Sequence, residues 1–305
     1  MAYILSASHS GSTLLAMLLG AQSKACTVGE LRAPSMGDTE KYQCSCGQRI
    51  MACPFWDKVS QAMSRRGVPD FDITSAGTSI FEIASPYAQR LLQPLQRGRA
   101  LEWLRDTALG FSPAWRRHLD EVQRRNLALV ESLQELTSAD TVIDSSKSVL
   151  HLKYLLQIPR LQIKVLWLVR DGRAVSLSLI GHGMKRATRA ETVAAAAREW
   201  RRSNEAAELL LGRLPASQWM RVGYEEFCRE PELGLRRLCK FIELDSGALN
   251  LDFRAIEQHV LGNEMRMNST SQIRLDERWR SQLSGEDLIA FDSVAGGLNR
   301  RYGYG

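Results

Sequence analysis

The sequence predicts an α/β fold: a mostly parallel sheet flanked by helices, with a helical insertion. Three observations carry that expectation. Apolar runs of strand length recur at residues 2–7, 141–143, 163–169 and 219–222. Stretches of helical period separate them, which favours crossover connections over hairpins. The runs at 2–7 and 163–169 each end in a polar, glycine-bearing turn that opens directly into a helical pattern.

Taken in order, residues 2–7 (AYILSA) read as a buried strand and residues 8–12 (SHSGS) as a turn of small residues. Residues 13–22 continue as a helix, with leucines at 14, 15, 18 and 19 on one apolar face. Residues 29–54 carry Gly, Pro, Asp and Cys and read as a loop. From 80 to 136 the pattern is helical. Leu91, Leu92 and Leu95 mark one face, and Leu119, Val122, Leu127, Val130 and Leu133 another, with Pro86, Pro94 and Pro113 as punctuation. This stretch reads as the larger part of an insertion, about residues 60–136, that caps the sheet of a single domain spanning 1–305. Residues 163–169 (IKVLWLV) are nearly all apolar, as a parallel strand covered on both faces should be. An Ala-rich helix is expected at about 192–211, a short strand at 219–222, and a helix from Pro231, where proline's missing N–H costs nothing, to Ile242. The tail at 276–298 reads as helical, with Ser284 as N-cap and Asp287 three residues on.

The 305 residues include 40 Lys+Arg against 34 Asp+Glu, a formal charge of +6, and are 44% hydrophobic and 24% charged. These proportions exclude a disordered chain, a collagen-like repeat and a disulfide-dense mini-protein. No run approaches the ~18 apolar residues of a membrane-spanning helix, and no basic segment precedes the first apolar stretch. A cytoplasmic protein without a transmembrane segment is therefore expected. The mild positive excess suits an anionic ligand. Its arginines are dispersed over helical patterns rather than gathered among aromatics, so no nucleic-acid partner is expected. Among six cysteines, Cys44, Cys46 and Cys53 lie close together. A C-x-C pair with one further cysteine falls short of the usual four-ligand zinc pattern. A metal site and a local disulfide are the alternatives; reduced loop thiols are the favoured reading, and no metal is expected.

The chemistry concentrates at the two strand–turn–helix junctions. At the first, Ser10, Gly11, Ser12, Thr13 and Leu14 open a helix whose free N–H groups and dipole favour an anion. The turn is P-loop-like, but Ser6 stands where a nucleotide-hydrolysing P-loop has its first glycine, and Ser12 where it has its lysine. Alone, the turn reads more readily as an ordinary capped helix start than as a phosphate cradle. At the second, Arg170 follows the strand at 163–169 and Ser178 lies in the next helix. An arginine there points into the crevice where open α/β sheets bind ligands. Two anion grips at two strand ends suggest a ligand with two separate phosphate groups.

This pair of motifs resembles the sulfotransferase superfamily that uses 3′-phosphoadenosine 5′-phosphosulfate. Residues 9–14 (HSGSTL) are similar to its 5′-phosphosulfate loop, and residues 169–178 (VRDGRAVSLS) to its 3′-phosphate motif. Further stretches resemble bacterial members related to tyrosylprotein sulfotransferases: residues 28–32 (VGELR), 144–147 (DSSK), 224–227 (YEEF), 262–266 (GNEMR), 276–279 (DERW) and the cysteine loop ending in Cys53-Pro54-Phe55-Trp56. The resemblance implies that Ser10, Gly11, Ser12, Thr13 and Leu14 cradle the 5′-phosphosulfate, that Arg170 and Ser178 hold the 3′-phosphate, and that Tyr224 lies near the nucleotide. It implies Lys147 at the bridging oxygen of the leaving phosphate, Glu30 as general base on an acceptor hydroxyl, and Arg32 positioning the acceptor or ordering Glu30. The acceptor would be a glycan, a natural product or a peptide tyrosine. His9 stands where the family has Arg or Lys; a ligand contact, a base and a structural role are its alternatives. Arg266 and Arg274 are further candidates for the 3′-phosphate.

Blander readings stand beside these. Glu30 could pair with Arg32, Lys147 could be a solvated lysine at a helix start, and Tyr224 could be packed under the sheet. His182 and His259 read as surface or core histidines. The competing functions are a P-loop kinase, which the missing P-loop lysine disfavours, and a non-catalytic nucleotide-binding protein.

Overall fold

Five short strands alternate with helices along the computed structural model, which describes residues 1–32, 36–92, 98–267 and 270–305. The strands are β1 (Ala2–Ser6), β2 (Ala25–Gly29), β3 (Thr141–Lys147), β4 (Lys164–Val169) and β5 (Trp219–Gly223). They form one sheet in the order β2-β3-β1-β4-β5, and every pairing is parallel.

The apolar runs are continuous because both faces are covered. On one face Ala2 and Ile4 of β1 and Leu166 and Leu168 of β4 pack against α1 (Ser12–Gly20). On the other, Tyr3 and Leu5 of β1 and Val165, Trp167 and Val169 of β4 meet Val193, Ala197 and Trp200.

Between β2 and β3 run α2 (Pro54–Arg65), α3 (Pro86–Leu92), α4 (Gly98–Gly110) and α5 (Pro113–Thr137). Helices α2 and α5 share a core with Cys26 and Val28 of β2. Helices α3 and α4 form a separate cluster with Trp115 of α5 and with Leu150 and Tyr154 of α6 (Val149–Leu155). Pro94 and Leu95, part of the expected helical pattern, lie outside the described residues. After β4 come α7 (Gly172–Gly181) and α8 (Arg189–Leu211), and after β5 come α9 (Tyr224–Arg229) and α10 (Pro231–Phe241). Trp200 and Val193 belong to α8, which lies across the sheet.

Several elements differ from the sequence reading, among them the short helices α6 and α9, whose spans it does not mark out. Strand β2 has no counterpart in it: its sequence, ACTVG, holds two small residues and a threonine, too short and too mixed to show alternation. Helix α2 begins at Pro54, where a loop was expected to end. The C-terminal tail is broken into Trp279–Gln282, Gly285–Phe291 and Gly297–Arg301, with a π turn at Asp292–Gly296. The capping box of Ser284 and Asp287 does form at the start of its second piece.

Two register shifts shape the C-terminal edge of the sheet. Tyr3 pairs with Asp144 but Leu5 with Lys147, so β3 carries one extra residue against β1. Thr27 pairs with Ile143 but Gly29 with Asp144, so β2 carries one extra against β3. Such bulges re-aim the residues beyond them.

Candidate active site

All five strands deliver residues to one open cleft of about 550 Å³ at their C-terminal ends. The turn after β1 contributes Ser8, His9, Gly11, Ser12, Thr13 and Leu14. Glu30 follows β2, Lys147 ends β3, Arg170 follows β4, Ser178 lies in α7 and Tyr224 opens α9. The crevice outside the strand ends is where open α/β sheets hold ligands.

The turn after β1 presents free backbone N–H groups to the cleft. Gly11 sits at the N-cap of α1 in the left-handed conformation, φ 92°, and no side chain caps the helix. The first helical bond runs from Leu15 N–H to the Gly11 carbonyl (3.1 Å), which leaves the N–H groups of Ser12, Thr13 and Leu14 free of intrahelical partners. Gly11 is also required by packing: a Cβ there would lie 2.5 Å from Cε2 of Tyr224. Ser10 is buried beneath the turn, and its Oγ has no hydrogen-bond partner among the described residues.

Arg170 is 6% exposed and stacks over the Tyr224 ring, 4.5 Å from its centroid. Its guanidinium donates to the His9 carbonyl (2.9 Å) and to the Asp276 carboxylate (3.0 Å), while Nε is unpartnered among the described residues. Arg278 also binds Asp276, and the two guanidiniums hold that carboxyl well below the usual carboxylate range. Burial raises the Tyr224 phenol above its ordinary value. The Trp200 indole donates to the Arg170 carbonyl (3.1 Å) and fixes its backbone.

Glu30 and Lys147 form an ion pair, both mostly buried. Asp144 brings them together. It is fully buried, and its Oδ1 accepts from Leu31 N–H (3.1 Å), Ser146 N–H (2.9 Å) and Ser146 Oγ (2.6 Å). The carboxylate thus ties the segment after β2 to the bulged end of β3. Burial pushes Asp144 up to about 6. Lys147 leaves the bulge at φ 64°, the left-handed region that costs a side-chain-bearing residue energy. His9 has the same backbone strain, φ 61°. Its ring packs against that of His182, 4.3 Å between centroids and tilted by 37°. Burial, with His182, Lys147 and Arg170 adding to it, lowers His9 to about 4, so the imidazole is neutral near pH 7.

Several expected placements change. Glu30 pairs with Lys147, not with Arg32. Arg32 does not line the cleft: it lies over the Phe81 ring, 5.5 Å from the centroid, with its N–H on Ser146 Oγ. Ser10 backs the turn rather than facing the cleft. His182 is exposed, as a surface histidine should be, and lines the cleft beside His9. Arg274 lines the cleft, but Arg266 is turned away from it, donating to the Gln43 and Gly262 carbonyls. His259 faces Cys44 and Cys53. The sequence reading missed two groups. Asp144 lay inside a noted stretch, but only the bulge gives it its role. Asp276 was likewise noted only as part of a motif. The six cysteines are all free, so the local disulfide is not formed.

Among the described residues, no helix is long and apolar enough to cross a membrane. The chain is similar in structure to the "Sulfotransferase Domain from the Synechococcus PCC 7002 Olefin Synthase", with a TM-score of 0.51, 19% identity, and coverage of 96% of this chain and 93% of that one. It is similar also to the "Sulfotransferase Domain from the Curacin Biosynthetic Pathway", with a TM-score of 0.52, 17% identity and 96% of each chain covered. At such identities the likeness concerns the fold. No curated protein matches the sequence significantly. Residues 2–247 match the family model described as "Sulfotransferase family", a stretch that holds all five strands and both strand–turn–helix junctions of the cleft, and the chain belongs to that family.

Proposed function

We propose that the protein transfers a sulfuryl group from 3′-phosphoadenosine 5′-phosphosulfate to an acceptor hydroxyl. The observation that carries this reading is the convergence at one cleft of an uncapped helix start, a buried arginine and a Lys–Glu pair, delivered by different strand ends.

The cleft fits such a donor on three counts. The Gly11 turn has no side chain in the way and offers free N–H groups. Arg170 Nε is a buried donor with no partner among the described residues. Arg170, Ser178 and the Tyr224 ring line the same cleft. In this reading the N–H groups of Ser12, Thr13 and Leu14 bind the 5′-phosphosulfate, Arg170 and Ser178 bind the 3′-phosphate, and Tyr224 supports the nucleotide. The donor supplies an activated sulfuryl group whose leaving phosphate is already stable. The chain's own residues then position and neutralise. Lys147 offsets the charge that grows on the leaving oxygen. Glu30 takes the proton of the acceptor hydroxyl. His9 contributes a hydrogen bond where a permanent cation is usual in the family, so Lys147 carries more of the neutralisation.

The helices between β2 and β3 shape the acceptor side. The region they belong to touches the segment after Glu30 through Thr78 Oγ, which donates to the Leu31 carbonyl (2.7 Å), and through Phe81 under Arg32. The acceptor is a hydroxyl on a glycan, a natural product or a peptide tyrosine.

Thermal stability with 3′-phosphoadenosine 5′-phosphate tests the donor site. At ~100 times its dissociation constant the bisphosphate adds ~2.7 kcal/mol, a rise of roughly 5 °C. The rise should vanish in Arg170→Ala. Stabilisation by ATP with Mg²⁺ and not by the bisphosphate would overturn the reading in favour of a kinase.

A further inference from the structure

Outside the cleft, one cluster of side chains has no part in the proposed reaction. Cys44, Cys46, Cys53 and His259 each turn one ligand-type atom toward a common point, and the four atoms lie within 4.8 Å of one another. We propose that these four residues bind a zinc ion, and that the ion is structural.

The distances favour this directly. With Zn–S near 2.3 Å and Zn–N near 2.0–2.1 Å, a tetrahedron has S···S edges of about 3.8 Å and S···N edges of about 3.6 Å. Cys46 Sγ and Cys53 Sγ are 3.7 Å apart. His259 Nδ1 is 3.6 Å from Cys44 Sγ and 3.5 Å from Cys53 Sγ. Three sulfurs and one imidazole nitrogen make a closed set of four, with no position left for water or substrate.

The surroundings are those of a ligand set held in place. His259 Nε2 lies 3.5 Å from the Glu257 carboxylate, the outer contact that orients a metal-bound imidazole with its other nitrogen inward. The Phe55 ring stacks flat on His259, 4.2 Å between centroids and 6° between planes. The segment bearing Cys44 and Cys46 turns tightly: Gly47 N–H donates to the Cys44 carbonyl (2.9 Å), and Cys44 N–H to the Gln48 carbonyl (2.9 Å). Cys53 is the N-cap of α2, which fixes the third sulfur on a rigid element.

The placement gives the ion its task. His259 comes from a segment far along the chain, and the same segment reaches the cleft. Val260 N–H donates to Ser45 Oγ (2.7 Å), Leu261 N–H to the Val28 carbonyl (2.8 Å) and Gly262 N–H to the Tyr42 hydroxyl (2.9 Å). Gly262, at φ 106°, backs Glu30: a Cβ there would sit 3.2 Å from Glu30 Oε1. Gly262, Asn263 and Met265 line the cleft. A zinc ion at the four ligands would staple the cysteine segment, the start of α2 and this cleft wall into one unit beside Glu30.

Metal content decides the matter, and it does so without reference to turnover, so its outcome is separate from that of the sulfuryl-transfer reading. Purified protein, prepared without chelator, should carry one zinc per chain by mass spectrometry of the elements. A mercurial that titrates thiols should release it to a colorimetric chelator. Replacing zinc with cobalt should give thiolate-to-metal charge transfer and the intense visible bands of a tetrahedral site. Cys44→Ala and Cys53→Ala should lose the metal, whereas Cys239→Ala, a buried cysteine elsewhere, should keep it. His259→Cys should retain the metal and move the cobalt bands toward those of a four-thiolate site, a readout that does not rest on a destabilised variant. Wild-type protein without zinc that also fails to take up cobalt overturns the proposal. So does a Cys46–Cys53 disulfide in freshly purified protein, and so do cobalt bands unchanged in His259→Cys.

Discussion

Lys147 and Glu30 are the residues on which the proposed chemistry depends most. Both are mostly buried, and they are paired. Lys147→Ala should lower kcat by about 10²–10³-fold, the usual cost of removing one charge-stabilising donor from a transition state. Glu30→Gln removes the proton acceptor and should cost about 10²–10⁴-fold. Neither should abolish the thermal shift given by the bisphosphate, because the proposed 3′-phosphate grip lies at Arg170. Loss of the shift with either variant would place these residues in binding rather than in catalysis. Most of this site was legible in the sequence, because short motifs at strand ends carry their own geometry: Gly11, Ser12, Thr13, Leu14, Lys147, Arg170, Ser178 and Tyr224 all meet in the cleft. Partners were not legible. That Glu30 pairs with Lys147 instead of Arg32, that Arg170 holds Asp276, and that His182 packs against His9 are contacts between distant segments, and no local pattern encodes them.

At the scale of elements, the bulged end of β3 sets the site. One buried carboxylate, Asp144, accepts three hydrogen bonds that join the segment after β2 to the end of β3. Asp144→Ala leaves the Leu31 and Ser146 N–H groups without their acceptor, and stability should fall by about 2–4 kcal/mol. Asp144→Asn keeps an acceptor oxygen and should retain most of that stability. As a positioning residue, Asp144 should show itself in a split: the Ala variant loses kcat far more than bisphosphate affinity, and the Asn variant recovers kcat. Equal losses in both quantities would mean general destabilisation instead. The elements themselves show why the fold was readable in part. Strand β4 was evident because burial on both faces demands an unbroken apolar run. Strand β2 was not, because its five residues, ACTVG, are held by pairing with β3 and by packing against α2 and α5 rather than by any propensity of their own. Helix α2 was hidden for a related reason: its apolar positions Trp56, Val59, Ala62 and Met63 come after a cysteine-rich turn whose spacing reads as loop.

For the whole molecule, acid stability depends on histidines folded in their neutral form. His151 is fully buried at the start of α6, and neither ring nitrogen has a partner among the described residues. Burial, with a smaller push from Arg32, lowers it to about 3. The unfolded chain takes up this proton near pH 6.5, and the folded chain does so only near 3. The unfolded state therefore binds more protons in that window, and stability falls as pH drops through it. His151→Leu removes the effect. Its denaturation midpoint should match or exceed that of wild type near neutrality and should fall less steeply between about pH 6 and pH 4. Parallel acid limbs for the two proteins would show that other groups, Asp276 among them, dominate acid unfolding.

The ion pair between Glu30 and Lys147 also bears on the order of events in turnover. While Lys147 occupies the Glu30 carboxylate, an acceptor hydroxyl meets a base whose lone pairs are already engaged. In the proposed reaction the polyanionic donor would draw the lysine toward its leaving oxygen and thereby free the carboxylate. Substrates should then bind in sequence, the donor before the acceptor. The spent bisphosphate should inhibit competitively against the donor and noncompetitively against the acceptor, and acceptor affinity in direct titrations should rise when the bisphosphate is present.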